Sequence, residues 1–546
     1  MIHYGQVDGI PTVYTEDGPV GAGLIFRVGS ADEQLAQRGI THLVEHLALH
    51  ELGVTDYHFN GTTGQFFTSF FTRGTPESVV TFLQKVAAGL KNLPMDRLEI
   101  EKGVLRTEAD GRGTGIYERI LFWRYGPQNR GLVDYLELGL NWLGRAELWG
   151  WAETFFTRAN AVLWFTGMTP PSDLHLDLFS GQRQPLPASP EILPQTPSWA
   201  AEHSKHVGYH GIVKRSVAAT VFSTLLHREM FRRLRQESGY CYTPVVDYGP
   251  VNADYAEILA VIDPSPEQRA AALGEFLDLL AQLRWGTTDP EALDEVKKML
   301  ARAQSEDDAE AGMTPSAALD LLMGATTPTL DEVRAELAAV TLADIRAVAV
   351  ELADSAFLLV PEGSTADWAG FVQAPLVSTE VVRGVSLPAI NNPDRSLVVG
   401  DEGVSLVGSE GAATVAFADC VVLLAWPDGG RALIGADGMG CALEPTLYPL
   451  TREHLATIER AVPQHLMVPM PARTQDRIPV PPDPPAESAL AARVSKHLPR
   501  RLIIALAFSV LLLVALFMVS IGVPVWIAAA TFIGALSASL YNARKQ

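Results

Sequence analysis

Two long stretches of this chain run through the same order of periods: one amphipathic helix, two alternating strands, then two more helices. In the first stretch, residues 39–53 carry apolar side chains at helical spacing, while 57–62 and 66–72 alternate as strands do. Thr75-Pro-Glu-Ser then opens a helix through Leu90, and Pro94-Met-Asp opens another that carries Glu101 and Glu108. In the second stretch a helix over 216–237 leads to strands over 242–248 and 255–262. Ser265-Pro-Glu then opens a helix through Leu283, and Asp289-Pro-Glu opens the next. Proline stands in the first helical turn at matching places of both stretches, where its missing N–H costs no hydrogen bond. A period of about 190 residues therefore predicts two copies of one domain plan, over 1–180 and 195–365. The segment between, 116–165, is rich in Trp and Phe and is expected to complete the first domain's core with helices.

Beyond residue 365 the texture changes. Short apolar runs at 397–399, 404–407, 415–417, 421–426 and 432–434 alternate with Gly/Asp turns, and a helix over 451–461 follows with Thr451 as its cap. This predicts a small β-rich domain over 390–462, similar to a pleckstrin-homology-like module. Eight prolines fall between 463 and 485, which predicts an extended spacer over 463–490. From Leu502 to Tyr541 no charged residue occurs, enough for two membrane crossings of about 20 residues each, broken at Gly522-Val-Pro524. A transmembrane helical hairpin over 502–541 is the expectation. Arg493, Lys496, Arg500 and Arg501 before it, and Arg544 and Lys545 after it, put both ends and the preceding domains on the cytoplasmic side. The fold class is therefore α+β: two homologous mixed α/β domains, a small β-rich domain and a membrane hairpin.

Composition narrows the partners. The 546 residues are 47% hydrophobic, ample for several cores, and the net charge of -21 repels phosphate backbones, so no nucleic-acid partner is expected. Cys241, Cys420 and Cys441 are too few and scattered for a disulfide scaffold or a cysteine-based metal site.

The first helix carries the chemistry. His42, Glu45 and His46 form an H-x-x-E-H motif. Side chains four apart share a helix face, so both imidazoles can reach one metal with Glu45 beside it. A catalytic zinc site needs three protein ligands, an open position for water and a carboxylate to take the water's proton. The motif supplies all but the third ligand. His50 offers a competing pair with His46, without a suitably placed base.

These residues resemble the inverzincin metallopeptidases, the family of pitrilysin, the insulin-degrading enzymes and the mitochondrial processing peptidase. The likeness covers residues 1 to about 360 and is carried by 39–49, 59–71, 101–108 and 234–243. It implies a zinc-dependent metalloendopeptidase in which His42, His46 and Glu108 hold Zn2+ and Glu45 is the base. Glu101, seven residues before Glu108, is implied to support the site, with Glu99 as the alternative. Phe59-Asn-Gly-Thr is similar to the family's Asn-Ala-x-Thr edge strand, so Asn60 and Gly61 are expected to bind substrate main chain, with glycine in alanine's place. Leu234-Arg-Gln-Glu-Ser-Gly-Tyr-Cys-Tyr resembles a segment whose arginine and tyrosine reach the bound peptide, which implies catalytic and substrate-binding roles for Arg235 and Tyr242. The second copy lacks H-x-x-E-H, so only the first is expected to be catalytic. Family chambers hold four such domains, which implies a homodimer or a homologous partner chain. The other reading is a non-catalytic homologue acting as a binding or assembly subunit.

Overall fold

The computed structural model describes residues 1–50, 52–53, 59–111, 115–286, 288–304 and 309–483; the expected transmembrane hairpin lies outside them. Among the described residues no helix is long and apolar enough to cross a membrane.

The first sheet is built from β1 (His3–Val7), β2 (Ile10–Tyr14), β3 (Gly21–Phe26), β4 (Phe59–Thr63), β5 (Thr68–Arg73) and β6 (Ala161–Thr166), in the order β1-β2-β6-β3-β5-β4. Its helices are α1 (Ile40–His50), α2 (Pro76–Lys91), α3 (Leu98–Gly111), α4 (Ile116–Tyr125) and α5 (Arg145–Phe155). The second sheet contains β7 (Ser198–Glu202), β8 (Val207–Lys214), β9 (Val245–Pro250), β10 (Tyr255–Ile262), β11 (Phe357–Pro361) and β12 (Val372–Gln373), in the order β12-β7-β11-β8-β10-β9. With it go α6 (Val217–Met230), α7 (Arg269–Trp285), α8 (Pro290–Ala303), α9 (Ala309–Met323), α10 (Leu330–Ala339) and α11 (Leu342–Asp354).

Five strands correspond between the sheets: β2-β6-β3-β5-β4 matches β7-β11-β8-β10-β9, including the parallel pairs β2/β6 and β7/β11. The edge strands β4 and β9 begin 245 − 59 = 186 residues apart. The sixth strand differs, coming from the start of the chain in one sheet and from residues after β11 in the other. The strand expected from Tyr242 begins at Val245 because the Asp263 carboxylate accepts the backbone N–H of Tyr242 and Thr243, taking them out of the ladder.

Both faces of each sheet are covered, and the halves exchange helices to do it. Every residue of β3 and β6 is buried. Ala22, Leu24, Phe26, Leu163 and Phe165 meet Leu43, Leu47 and Phe82 of α1 and α2, whereas Ile25, Val162 and Trp164 meet Ala317, Ala318 and Leu322 of α9. Conversely, Ile120 of α4 packs with Leu259, Phe357 and Leu359 of the second sheet. Each half thus supplies a helix to the other's outer face, so neither sheet is covered without the other half.

The β-rich unit has two facing sheets around one core of Leu397, Val404, Val415, Leu423, Leu433 and Leu443, closed by Ile458 of a helix. One sheet is the meander β13 (Gly384–Ala389), β14 (Asn392–Gly400), β15 (Gly403–Gly408) and β16 (Gly411–Ala416). The other orders β17 (Cys420–Ala425), β18 (Arg431–Gly435), β19 (Gly440–Leu443) and β20 (Met467–Pro469) as β19-β18-β17-β20. The helix, α12 (Arg452–Ala461), starts at its Thr451 cap. The spacer expected from residue 463 is corrected here, because β20 pairs parallel with β17 and the Arg473 fork bonds Asp428 and Glu444 at 2.7–2.9 Å. Proline suits this place, since Pro469 ends an edge strand and is not required to donate inward.

The exchanged helix gives a stability test. Ala318 is fully buried between α9 and the first sheet, so Ala318→Asp puts an unpaired carboxylate there and is expected to cost about 3–5 kcal/mol. Denaturant unfolding checks it; a loss under about 1 kcal/mol contradicts the packing described.

Candidate metal centre

Helix α1 is set at its start by two buried features. The Glu33 carboxylate accepts the backbone N–H of Gly39 and Thr41 at 2.9 and 3.0 Å, taking two amides the helix itself cannot satisfy. Gly39 has φ +98°, and a Cβ there would stand 2.7 Å from Cβ of Glu137, so glycine admits the Glu137 turn against the helix. The far side of α1 crosses α2 closely, where a Cβ on Gly89 would fall 2.6 Å from the Ala48 carbonyl.

His42 and His46 stand one turn apart on α1, their rings edge to face at 4.8 Å. Each ring has one nitrogen on a carboxylate and the other toward a third. His42 Nδ1 meets Glu137 Oε1 at 2.8 Å and its Nε2 lies 3.8 Å from Glu108 Oε2. His46 Nδ1 lies 3.5 Å from Glu101 Oε2 and its Nε2 3.6 Å from Glu108 Oε1. A carboxylate at Nδ1 keeps the proton there, which leaves the Nε2 lone pair for a metal. Glu101 and Glu108 both come from α3, two turns apart on one face, and Arg97 holds Glu101 at 3.4 Å.

Glu45 is buried between the histidines and the edge strand. Its Oε2 accepts the Thr63 hydroxyl at 2.7 Å, and a Cβ on Gly61 would come within 2.5 Å of its Oε1. Glycine at 61 is therefore what lets this carboxylate lie flat against β4. Burial pushes the Glu45 carboxyl above its usual range, against the pull of His42, the Thr63 hydroxyl and His46.

These groups face one cleft of about 670 Å³, lined by Arg38, Glu137, the α1 side chains and residues 60–63 of β4. Asn60 and Gly61 lie on that wall, and β4 is the last strand of its sheet, paired on one side with β5. His50 also lines the cleft, 4.0 Å from Glu101. Glu99, the alternative third ligand, instead pairs with Lys102 at 2.8 Å and does not line it. Arg235 and Tyr242 come together elsewhere. The Arg235 guanidinium lies between the Phe231 and Tyr242 rings, 5.3 and 4.5 Å from their centroids, and bonds the Tyr242 carbonyl. Tyr242 is 74% exposed, and neither residue lines the cleft that holds His42.

The donor set fits a zinc ion. Ligand atoms of His42, His46 and Glu108 lie within 4.8 Å of one another, and bonds of about 2.0–2.2 Å need tetrahedral neighbours about 3.3–3.6 Å apart. Glu108 already stands at 3.6 and 3.8 Å from the two Nε2 atoms, close to that spacing. Four carboxylates line the cleft against the one guanidinium of Arg38, an excess that a divalent cation offsets.

Glu137 and Glu33 are the residues that sequence reasoning missed. Glu137 lies 95 residues from His42 and belongs to no motif, so only folding brings it there.

Several solved structures share this fold. A protease from Helicobacter pylori matches with TM-score 0.56 at 16% identity, over 66% of this chain and 99% of that one. The first half of the periplasmic protease PqqL from Escherichia coli matches with TM-score 0.54 at 14% identity, over 68% of this chain and 94% of that half; full-length PqqL is covered over 55%. An inactive peptidase M16 domain from Pseudomonas fluorescens matches with TM-score 0.55 at 15% identity, over 68% of this chain and all of that one. No protein-family profile matches the sequence, and no curated protein sequence matches it significantly. The chain therefore has the fold of the M16-like peptidases, the pitrilysin type that the motifs resemble.

The Glu137 contact yields a metal-affinity test. Glu137→Ala frees the His42 ring and is expected to weaken zinc binding about 10–100-fold in a chelator competition titration. Unchanged affinity contradicts the orienting role.

Proposed function

We propose that the chain is a zinc-dependent metalloendopeptidase tethered to a membrane. The observation that carries this reading is the convergence of His42, His46 and Glu108 in a cleft walled by the edge strand β4. A zinc ion held by these three supplies Lewis acidity toward a peptide carbonyl and lowers the pKa of water. The protein's own groups do the rest. Glu137 and Glu101 hold the two imidazoles in orientation through Nδ1. Glu45 takes the proton of the attacking water at Oε1, because Oε2 is engaged by Thr63, and passes it to the departing amine. The outer edge of β4 receives the peptide as an added strand, with main-chain hydrogen bonds around Asn60 and Gly61 that are indifferent to side-chain identity.

Arg235 and Tyr242 then act on a peptide held by a second chain. The exposure of Tyr242 and the absence of both residues from the lining of their own cleft support this, as does the span of this chain over 55% of PqqL. Either a homodimer or a homologous partner supplies the other half. The uncharged residues 502–541 are read as the membrane hairpin, with the peptidase domains on its cytoplasmic side. The β-rich unit keeps the pleckstrin-homology-like reading on its two facing sheets and closing helix; the acid-rich composition of 390–462 speaks against a phosphate-binding role for it.

The rival reading is a non-catalytic binding or assembly subunit, favoured by the likeness to the inactive Pseudomonas fluorescens domain. The retained His42, Glu45, His46 and Glu108 weigh against it. Glu45→Gln decides between them: zinc content should be unchanged while hydrolysis of a quenched peptide falls at least about 100-fold, and retained turnover rejects Glu45 as the base. For the second half, Glu45→Gln chains mixed with Arg235→Ala chains should recover about a quarter of native activity through hybrid dimers. No recovery removes the homodimer and leaves a separate homologous partner.

A further inference from the structure

The tip of the β4–β5 hairpin is gripped from the interface between the two halves. Thr63 ends β4 with its hydroxyl on Glu45, and two residues later Gln65 points its amide into a buried polar cluster. Both amide atoms are committed: Nε2 donates to the Tyr117 hydroxyl at 2.7 Å, and Oε1 accepts from Arg130 Nε at 2.9 Å. Tyr117 donates in turn to Glu257 Oε1 at 2.7 Å, and Arg130 forms an ion pair with the same carboxylate. Glu257 stands on β10, in the sheet that lacks the metal ligands. Its other neighbour is His210 on β8, whose Nε2 lies 2.8 Å away while Nδ1 accepts from Arg124 at 3.0 Å.

Burial drives the His210 pKa down to about 4, so the ring is neutral and donates to Glu257. Burial alone would raise the Glu257 carboxyl, but His210, Arg130 and Tyr117 together hold it well below its usual range, so it is ionised. The Arg130 and Arg124 side chains are 1% and 0% exposed, and a charge that deep is held by its partners or not at all. The cluster is accordingly rigid, and Gln65 is the hairpin residue fastened to it through its side chain. Two residues of chain span at most about 7 Å, so displacement at Gln65 is felt at Thr63 and thus at Glu45.

The geometry points to Gln65 as a positioning residue: through Tyr117, Arg130 and Glu257, the half without metal ligands sets the substrate-binding edge and the base of the half that has them. The catalytic consequence rests on the peptidase reading; the mechanical coupling does not. It also gives the buried cluster a use that the proposed reaction leaves open. A first-domain fragment would keep His42, His46 and Glu108, and Gln65 with Tyr117 and Arg130, but lose Glu257, the carboxylate that holds Tyr117 and Arg130 in place.

The test uses the full chain with Gln65→Met, which keeps length and removes both hydrogen bonds, Gln65→Glu, which keeps the acceptor for Arg130, and Tyr117→Phe. Hydrogen exchange at the amides of residues 59–63 and peptide turnover are read together with zinc content. Gln65→Met should exchange at least about tenfold faster there and lose about tenfold in kcat with KM and zinc unchanged, and Gln65→Glu should recover part of both. Gln65→Met combined with Tyr117→Phe should be no worse than Gln65→Met alone, because the two act in series. Native exchange at 59–63 in Gln65→Met, additive losses in the double variant, or faster exchange with native kcat each overturn the inference. If the native protein cleaves no peptide, the function reading fails and the exchange arm alone decides the coupling.

Discussion

Two imidazoles one helical turn apart make a metal site only if each presents an unprotonated nitrogen to the same point. Here that constraint is met by carboxylates that are not ligands. Glu137 takes Nδ1 of His42 and Glu101 approaches Nδ1 of His46, which turns both Nε2 atoms toward Glu108. The three acids come from two places, α3 and the turn before α5, and the cleft needs both docked against α1. Gly39 makes one docking possible by leaving room for Glu137. Gly61 serves the opposite wall, where the missing Cβ leaves room for the Glu45 carboxylate.

The surrounding architecture locks the domain that carries the site to the second domain. Each sheet borrows a helix from the other half, α9 over the first and α4 over the second, so the repeat is duplicated in topology yet inseparable in packing. The helix that crosses over, α4, also carries Tyr117 into the buried cluster with Glu257 and His210. Packing and polar contacts thus meet at one interface, and the side chain of Gln65, at the tip of the hairpin that carries the edge strand, is hydrogen-bonded into it. The copies have diverged in use. The first has its histidine helix facing a cleft, while in the second Arg235 packs on an exposed Tyr242, and neither lines that cleft.

Much of this was legible in the sequence, and the gaps have physical causes. The His42/His46 pair and the Glu101/Glu108 pair are local spacings on single helices, and local spacings survive in a linear reading. The proline-opened helices α2 and α8 start where their capping residues Thr75 and Asp289 say they should. By contrast β3 and β6 are buried on both faces, so they carry no alternation to detect. Glu137 acts across 95 residues and Glu33 from a turn before the helix it caps, contacts that no period announces. The prolines after residue 463 predict an extended spacer; instead Met467–Pro469 adds a strand to the β-rich unit between two short helical turns, a pairing that no proline count announces.

The central claim is that His42, His46 and Glu108 jointly hold one divalent ion. X-ray absorption at the zinc edge on the purified full chain tests it most directly. The account predicts one zinc per chain with two imidazole nitrogens and oxygen donors at about 2.0–2.2 Å, and loss of that spectrum in His46→Ala. A zinc-free protein, or a spectrum unchanged by that substitution, contradicts it.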